Sequence, residues 1–509
     1  MKKRLLTTTI GICLCLIVNA QNDIDAIRYS FKEVGGNART QSMGGAIGAL
    51  GSDISVMGIN PAGLALSRKS EFSMSLGFRN LKTNAEYING LNTEQKFNFN
   101  IPNIGFKLTT INTSKGKPVK DGWSSFTFGM NVNRTNNFNV NSYYEGNNKE
   151  NSITDFFTQH NATSGTHPFD YDRETEPLRY LAFNSFLVDY DATNDKFSPS
   201  ILSSNRDVAQ IGTISKKGNT NEYNMAFGAN HSNKIYLGLG FNLQSVSHGL
   251  EKSFTEINNG PDSILDMSAL EYTQNIKTTG VGAGLNLGII FRPVDFLRFG
   301  ISYQSPRVLH LKDRFDFGIK SEFDLNAVDP YTDVPKEKYS DEEKGFEYTY
   351  KVITPSRVTG SIALQYKKIG MLTADVEMVD YTTTRMEKKE SNDPGFALEN
   401  RALKDNYRQV MNYRIGGELN SGMYRFRAGY SYQASPYKDN TVPFNEKLAR
   451  KSLSFGIGLA DKDYNLDIGY TMSKWADYSS PYSLNDQETY FVTNNRKAGL
   501  LQLTLGLNL

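Results

Sequence analysis

Few residues in this sequence could carry out chemistry. It contains five histidines and two cysteines, and the cysteines, Cys13 and Cys15, both lie close to the N-terminus. His160 and His167 share one segment, but neither belongs to a Cys/His pattern that would hold a metal ion. The Gly-x-Ser-x-Gly motif of serine hydrolases is absent. We therefore predict no metal site, and His310 is the single residue worth testing for catalysis.

A glycine-rich run at residues 280–284 could be taken for a nucleotide-binding loop. Its sequence, Gly-Val-Gly-Ala-Gly, lacks the Gly-x-Gly-x-x-Gly spacing of such loops, and no helix is predicted after it. The run lies inside a segment in which apolar residues alternate with small or polar ones, so we interpret it as part of a strand. The sequence predicts no cofactor.

The composition narrows the class of protein. Hydrophobic residues make up 39% of the 509 residues and the mean hydropathy is −0.47, which excludes a bundle of transmembrane helices. The same values suit a membrane β-barrel, because its strands alternate apolar and polar residues. Lys and Arg total 56 against 54 Asp and Glu, so no basic excess indicates nucleic acid as a partner.

Residues 1–20 are predicted to form a secretory signal peptide. Basic residues at positions 2–4 precede an apolar stretch at residues 5–18, and Ala20 is a small residue at the expected cleavage site. Removing this peptide also removes both cysteines, so disulfides cannot hold the exported chain together. We expect the mature protein in the outer membrane of a Gram-negative cell.

From residue 70 onward the sequence predicts strands. Apolar residues alternate with polar ones at residues 235–243, 281–291 and 499–509, among others. Short turns alternate with long polar segments, and six short and seven long connections predict fourteen strands. The long segments lie near residues 81–94, 143–208, 258–267, 314–344, 389–405, 435–449 and 477–496. The longest, near 143–208, is expected outside the cell.

We predict an all-β fold, a 14-stranded antiparallel transmembrane β-barrel at residues 70–509. Both chain ends would face the periplasm, and the last strand would pair with the first. The alternative is a soluble β-sandwich or propeller, but one sandwich domain rarely has so many strands and no propeller repeat is present. A multi-pass barrel would contact outer-membrane lipid and need the barrel-assembly machinery.

The segment at residues 21–69 differs from the rest. Ile24, Ile27 and Phe31 are spaced as on a helix, and Asn60 followed by Pro61 suits the start of another short helix. Such short helices would not fold alone. Fourteen strands enclose a lumen too wide for side chains to fill. We therefore predict that this segment is an N-terminal, mostly helical plug inside the barrel, here called the hatch.

Three stretches of the hatch resemble a known family. Residues 37–46, Asp53 and residues 60–64 are similar to the hatch of FadL/TodX-type outer-membrane transporters of long-chain fatty acids and other hydrophobic compounds. Residues 291–293, 300–306 and 354–355 resemble barrel segments of the same family. The resemblance implies that a hydrophobic ligand is captured at outer loops, bound in the lumen and released sideways through the wall. The implied gating residues of the hatch are Asn60, Pro61, Ala62, Gly63, Gly44 and Gly45.

Two further sites follow from local sequence. Pro102 interrupts the second predicted strand and Gly129 lies in the third, so the wall could open there, unless this is an ordinary barrel irregularity. The longest loop is unusually aromatic, which suits either ligand capture or packing of the loop over the barrel mouth. The aromatic residues proposed for capture are Phe156, Phe157, Tyr180, Phe183 and Phe186.

Uptake of hydrophobic compounds is the leading hypothesis, and the protein is not expected to be an enzyme. The alternatives are a related barrel that serves as an adaptor or shuttle for exported proteins, a barrel enzyme, and a diffusion porin. A porin would lack a plug and conduct ions steadily. An adaptor would co-purify with exported proteins.

Overall fold

A computed structural model gives the fold. It describes residues 23–162, 167–171, 176–201, 206–260, 267–323, 338–389, 395–438, 448–485 and 489–509. The predicted signal peptide, residues 1–20, lies outside the described residues. The element bounds below refer to the described part of the chain.

The main structure is a closed antiparallel barrel of fourteen strands, as predicted. The first six strands are β1 (Glu71–Tyr87), β2 (Gly90–Ile111), β3 (Trp123–Asn137 and Val140–Asn148), β4 (Val208–His231), β5 (Ile235–Asn258) and β6 (Met267–Val294). β14 pairs with β1 from Asn508 opposite Glu71 to Thr493 opposite Glu86, so the sheet has no free edge at this seam.

The remaining strands complete the circle, and three of them are interrupted. They are β7 (Leu297–Gln304 and Val308–Phe323), β8 (Lys338–Ile353 and Arg357–Tyr366), β9 (Gly370–Asp380 and Arg385–Lys388), β10 (Gln409–Ser421), β11 (Tyr424–Gln433), β12 (Arg450–Ala460), β13 (Tyr464–Ser479) and β14 (Val492–Asn508). Both segments of β7 pair with β8, so each interruption bends a strand without changing its neighbour.

Burial alternates along each strand as a membrane barrel requires. On β5, Leu239 and Phe241 are 52% and 43% exposed, whereas Asn242 and Gln244, which follow them, are buried. Apolar side chains therefore face outward, toward lipid, and polar side chains face the lumen. This inversion of the usual soluble pattern indicates a barrel that is embedded in a membrane.

The strands extend further than the sequence predicted. The predicted loop at 81–94 is wrong, because β1 and β2 continue to Tyr87 and Gly90 and leave only a two-residue turn. The predicted loop at 314–344 likewise contains the end of β7 and the start of β8. Beyond the apolar band the outward face is polar and apolar side chains such as Leu81 and Phe317 are buried inside, so the row of outward apolar residues ends while the hydrogen-bonded ladder continues.

Helices are short and lie in the hatch or in the outer loops. The α-helices are α1 (Asp23–Ser30), α2 (Ala38–Ser42), α3 (Ile153–Ala162), α4 (Pro177–Asn184) and α5 (Ala397–Asn406). The 3-10 helices are Ile54–Gly58, Pro61–Leu66, Pro168–Asp170 and Tyr381–Thr383. Two small hairpins join Thr113–Ser114 to Lys117–Pro118 and Val188–Asp191 to Lys196–Pro199. Among the described residues, no helix is long and apolar enough to cross a membrane.

The first described helix does not lie where we expected the chain to begin. The prediction that both ends face the periplasm holds for β14, which ends beside Ser70, but it is wrong for α1. Ile27 and Tyr29 of α1 are buried in an apolar cluster with Tyr407 and Val410, which lie at the extracellular ends of the strands. Burial of these apolar side chains draws α1 high into the lumen.

Candidate functional site

The hatch is held inside the barrel by amide side chains of the wall. Short helices leave many backbone carbonyls without partners, and buried carbonyls need hydrogen bonds. Wall glutamines and asparagines that point inward supply them. The bonds join Asn131 Nδ2 to the Ile54 carbonyl (2.7 Å), Asn286 Nδ2 to Met57 (3.1 Å), Gln304 Nε2 to Gly58 (3.0 Å), Gln433 Nε2 to Lys32 (2.7 Å) and Gln502 Nε2 to Gly36 (2.7 Å).

Glycines of the wall let the hatch lie directly against the sheet. A Cβ atom on Gly238 of β5 would collide with the backbone of Ala62, and one on Gly416 of β10 would collide with the carbonyl oxygen of Met43. These glycines follow the path of the hatch around the lumen. Replacing one of them would push the hatch away from the wall.

The predicted hatch motif forms a compact, buried turn. Asn60 is 1% exposed; its Oδ1 accepts a hydrogen bond from the Ala62 amide (3.1 Å), and its Nδ2 donates one to the Gly48 carbonyl (2.7 Å). Pro61 occupies the first position of the 3-10 helix, where no N–H is needed. A Cβ on Gly63 would lie 2.9 Å from the Gly51 Cα atom. The motif therefore connects two parts of the hatch.

The predicted Gly-Gly pair ends the short helix α2. Gly44 and Gly45 have φ angles of 63° and 78°, a left-handed conformation that favours glycine. A Cβ on Gly44 would also lie 2.9 Å from the backbone nitrogen of Tyr430 in β11. Both glycines thus allow a sharp turn pressed against the wall.

Ion pairs add to this attachment. Lys32 Nζ lies 2.7 Å from Glu222, and Arg307 lies 3.0 Å from the same carboxylate. Burial lowers the pKa of Lys32 to about 7, helped by Arg307 and opposed by Glu222. Arg39 is paired with Glu418 at 3.2 Å, so it is not available to a ligand carboxylate.

Glu33 connects the hatch to two wall arginines. Its carboxylate lies 2.5 Å from Arg450 and 3.8 Å from Arg79. Burial alone would raise the pKa of Glu33, but the two guanidinium groups outweigh it and hold the pKa below its usual value. Glu33 therefore joins the hatch to the barrel wall through ion pairs.

The hydrogen-bonded ladder between β2 and β3 is interrupted. Their pairing runs from Ile111 opposite Ser125 to Asn103 opposite Asn133 and stops there. The next contact above is a side-chain hydrogen bond from Asn137 Nδ2 to Asn98 Oδ1 (2.9 Å). We call the unpaired region between these two contacts, residues 99–102 of β2 and 134–136 of β3, the wall gap.

Both strands that border the wall gap are irregular at its level. The β1–β2 register shifts where Ser75 and Gly77 face Asn103 and Asn100, so Pro102 lies in a bulge and lacks an N–H to donate. The β3–β4 register shifts between Arg134 and Asn136. The structure thus places Pro102 at the wall gap.

Gly129, the other residue suggested for the opening, lies elsewhere. It is paired with Lys107 in the closed part of the β2–β3 seam, and a Cβ on it would lie 3.0 Å from Met57 Sδ of the hatch. Gly129 accommodates the hatch rather than bordering the wall gap.

A lumen cavity of about 300 Å³ lies beside α1. Its lining is largely apolar and includes Ile27, Phe31, Leu81, Phe138 and Trp475. A smaller cavity of about 80 Å³ shares several of its lining residues. The residues common to both cavities are Glu33, Arg79, Asn137, Arg450 and Trp475.

The smaller cavity extends to the wall gap, because Pro102 and Arg134 also line it. Gly35 of the hatch lines it too, and a Cβ on Gly35 would lie 2.7 Å from the Arg134 carbonyl oxygen. The hatch backbone therefore lies directly inside the wall gap.

The outer loop packs over the mouth of the barrel. Phe157 is fully buried, and Phe156 and Phe183 are each 8% exposed; all three lie in an apolar cluster with residues from the extracellular strand ends. Tyr180 and Phe186 are half-buried against the same cluster. In this conformation the aromatic residues proposed for capture face the inside of the loop.

Glu256 of β5 fastens this loop to the wall. Its carboxylate accepts hydrogen bonds from Ser152 Oγ (2.5 Å), the Ile153 amide (2.9 Å) and Gln210 Nε2 (2.7 Å). The Ile153 amide is the first of α3, so the carboxylate caps this helix from the barrel wall.

The described part of the chain holds no side-chain cluster suited to a metal ion. No group of three or more His, Cys, Asp or Glu side chains is arranged to hold a metal ion among these residues. His310 is exposed, and its neighbours Leu309 and Leu311 are buried, so it faces away from the lumen.

The sequence alone did not reveal the wall residues that form hydrogen bonds with the hatch. The signal was present as asparagine and glutamine at inward positions of strands whose outward residues are apolar, such as Asn286 beside Leu285 and Leu287. The bulge at Arg134 left no trace in the sequence, because a bulge depends on the register of two strands.

Comparisons with known proteins agree with this architecture. A FadL homologue of Pseudomonas aeruginosa has a similar structure, with a TM-score of 0.56, 12% identity and coverage of 94% of this chain and 99% of that one. The toluene transporter TodX of Pseudomonas putida gives a TM-score of 0.49 at 12% identity, covering 93% and 99%. The toluene transporter TbuX of Ralstonia pickettii gives 0.45 at 14% identity, covering 92% and 98%.

The family is identified from the sequence. No curated protein matches it at a significant level. The family model described as "Outer membrane protein transport protein (OMPP1/FadL/TodX)" matches residues 217–505, more than half of the chain. This outer-membrane β-barrel therefore belongs to the OMPP1/FadL/TodX family of transport proteins.

Proposed function

We propose that this protein takes up hydrophobic compounds, of the size and shape of long-chain fatty acids, across the outer membrane. The ligand is captured at the outer loop, binds in the lumen cavity and leaves sideways through the wall gap, while the hatch controls the last step. The observation that carries the proposal is the continuity of the apolar lumen cavity with the smaller cavity at the wall gap.

Lateral release suits the chemistry of an apolar ligand. Each buried CH₂ group favours an apolar environment over water by about 0.8 kcal/mol, so passage from the cavity into lipid avoids exposing the chain. The direct route to the periplasm leads through the hatch, whose carbonyls and charges are bound to the wall. The sideways route passes the close approach of Gly35 to the Arg134 carbonyl oxygen.

Capture at the outer loop requires the loop to open, since Phe156 and Phe157 are buried. Opening would break the hydrogen bonds to Glu256 of β5 and expose the apolar cluster in which these side chains are buried. No feature of the described residues favours the adaptor, enzyme or porin alternatives.

The proposal is tested by preventing the wall gap from widening. The predicted mature chain contains no cysteine, so Asn98→Cys and Asn137→Cys would introduce the only two, at the side-chain contact that bounds the wall gap. We expect a short, reducible thiol cross-linker to abolish uptake of radiolabelled oleate by cells whose own transporter has been removed. Reduction should restore uptake, because it releases the two strands.

The matched control joins the same two strands where they are already paired. Leu108→Cys with Phe128→Cys bridges a closed part of the seam and should leave uptake unchanged. Unchanged uptake in the cross-linked Asn98/Asn137 pair would show that the ligand does not leave through the wall gap.

A further inference from the structure

Arg134 is a cation without a partner at the wall gap. It is the first residue of β3 after pairing with β2 ends, and its Nε atom is buried without a hydrogen bond. Its guanidinium group forms no ion pair or hydrogen bond with any residue that the structure describes. A half-buried guanidinium group without a counterion is suited to binding an anion.

The two joined cavities carry an excess of positive charge. Their lining contains six cationic side chains and two carboxylates, those of Glu33 and Asp477. The cations are Arg28, Arg79, Arg134, Lys216, Arg450 and Arg496. Glu33 is engaged by two wall arginines. Asp477 is engaged by Arg496 at 2.7 Å.

The charges that stay uncompensated lie at two places along the route. Lys216 lines the lumen cavity and Arg134 lines the smaller cavity at the wall gap, and neither forms an ion pair within the described residues. A neutral hydrocarbon would leave both charges without a counterion. An anionic head group attached to an apolar chain would pair with them while its chain contacts the apolar lining.

We propose that Arg134 binds the acidic head group of the ligand as it crosses the wall gap, so that the protein selects amphiphilic carboxylates over neutral molecules of the same length. This inference rests on the proposed uptake function. In this proposal, a side chain at the exit recognises the head group of the ligand, and the lumen cavity binds the apolar chain of the ligand.

The test compares an acid with its neutral counterpart in the same cells. Uptake of radiolabelled oleate and oleyl alcohol is measured for the wild type, Arg134→Gln, Arg134→Lys and Arg401→Gln. Arg401 is 81% exposed on α5 and serves as the control arginine. A heat-modifiability gel shift establishes that each variant is a folded barrel.

We expect Arg134→Gln to lower oleate uptake about tenfold, the loss of one charge-assisted hydrogen bond, and to leave oleyl alcohol uptake unchanged. Arg134→Lys should restore most of the oleate uptake, and Arg401→Gln should behave as the wild type. Equal losses for both probes, or no loss for oleate, would overturn the role of Arg134 while leaving uptake intact. A wild type that takes up neither probe would instead overturn the proposed function.

Discussion

At the scale of single residues, the wall glycines determine how closely the hatch approaches the barrel. Gly238 faces the Pro61–Ala62 turn so closely that any side chain would meet backbone atoms, which cannot rotate away. Overpacking of this kind costs about 1–3 kcal/mol. The hatch should therefore shift inward when Gly238 is replaced, although the barrel keeps its strands.

We predict that Gly238→Ala raises ion conductance through the protein in planar lipid bilayers. The reason is that the displaced hatch leaves a water-filled path along β5. Gly240→Ala is the matched control: a Cβ at this position of the same strand would lie 3.5 Å from the Asn286 Cβ, an ordinary contact. Equal conductance in the two variants would show that contact at Gly238 does not hold the hatch in place.

At the scale of elements, the sequence predicts the features that contact with lipid requires. It predicts few of the features that depend on contacts inside the lumen. The strand number and the pairing of β14 with β1 are confirmed, because outward residues such as Leu239 and Phe241 must alternate with inward ones. The extension of β1 to Tyr87 was missed, because above the membrane the pattern reverses: Leu81, Ala85 and Tyr87 are buried inside, and the outward residues between them are polar. The hatch path depends on pairings such as Gln502 with Gly36, which no local pattern encodes.

The attachment of the outer loop gives a prediction at the same scale. Glu256 accepts hydrogen bonds from Ser152, which precedes α3, from the first amide of α3 and from Gln210 of β4. The side chain in Glu256→Gln is neutral, and its amide would place N–H groups against some of these donors. We expect the loop to become less stable by about 1–3 kcal/mol. Limited digestion with chymotrypsin should then cut after Phe156 or Phe157, as identified by mass spectrometry.

The control for this digestion is Glu251→Gln on the same strand. Glu251 is exposed and paired with Lys217 at 2.9 Å, and an exposed ion pair contributes little stability. Resistance of the Glu256→Gln loop equal to that of the control would mean that the apolar cluster alone closes the barrel mouth.

At the scale of the whole molecule, two bodies fill the barrel: the hatch below and the loop with α3 and α4 above. The lumen cavity lies between the hatch and the apolar cluster of the loop. Either body could be the barrier to ions. The polar attachments favour the hatch, since its carbonyls are bound to wall side chains on many strands.

We predict that deleting residues 21–70 converts the protein into an open pore with a steady, raised conductance in planar bilayers. Without the hatch, Asn131, Asn286 and Gln304 would face water, and a barrel of fourteen strands is too wide for its own side chains to close. Deleting residues 153–201 instead removes the outer loop and leaves the hatch in place, so conductance should stay low. The reverse result, an open pore only without the loop, would transfer the barrier from the hatch to the extracellular mouth and would remove the hatch from the proposed release step.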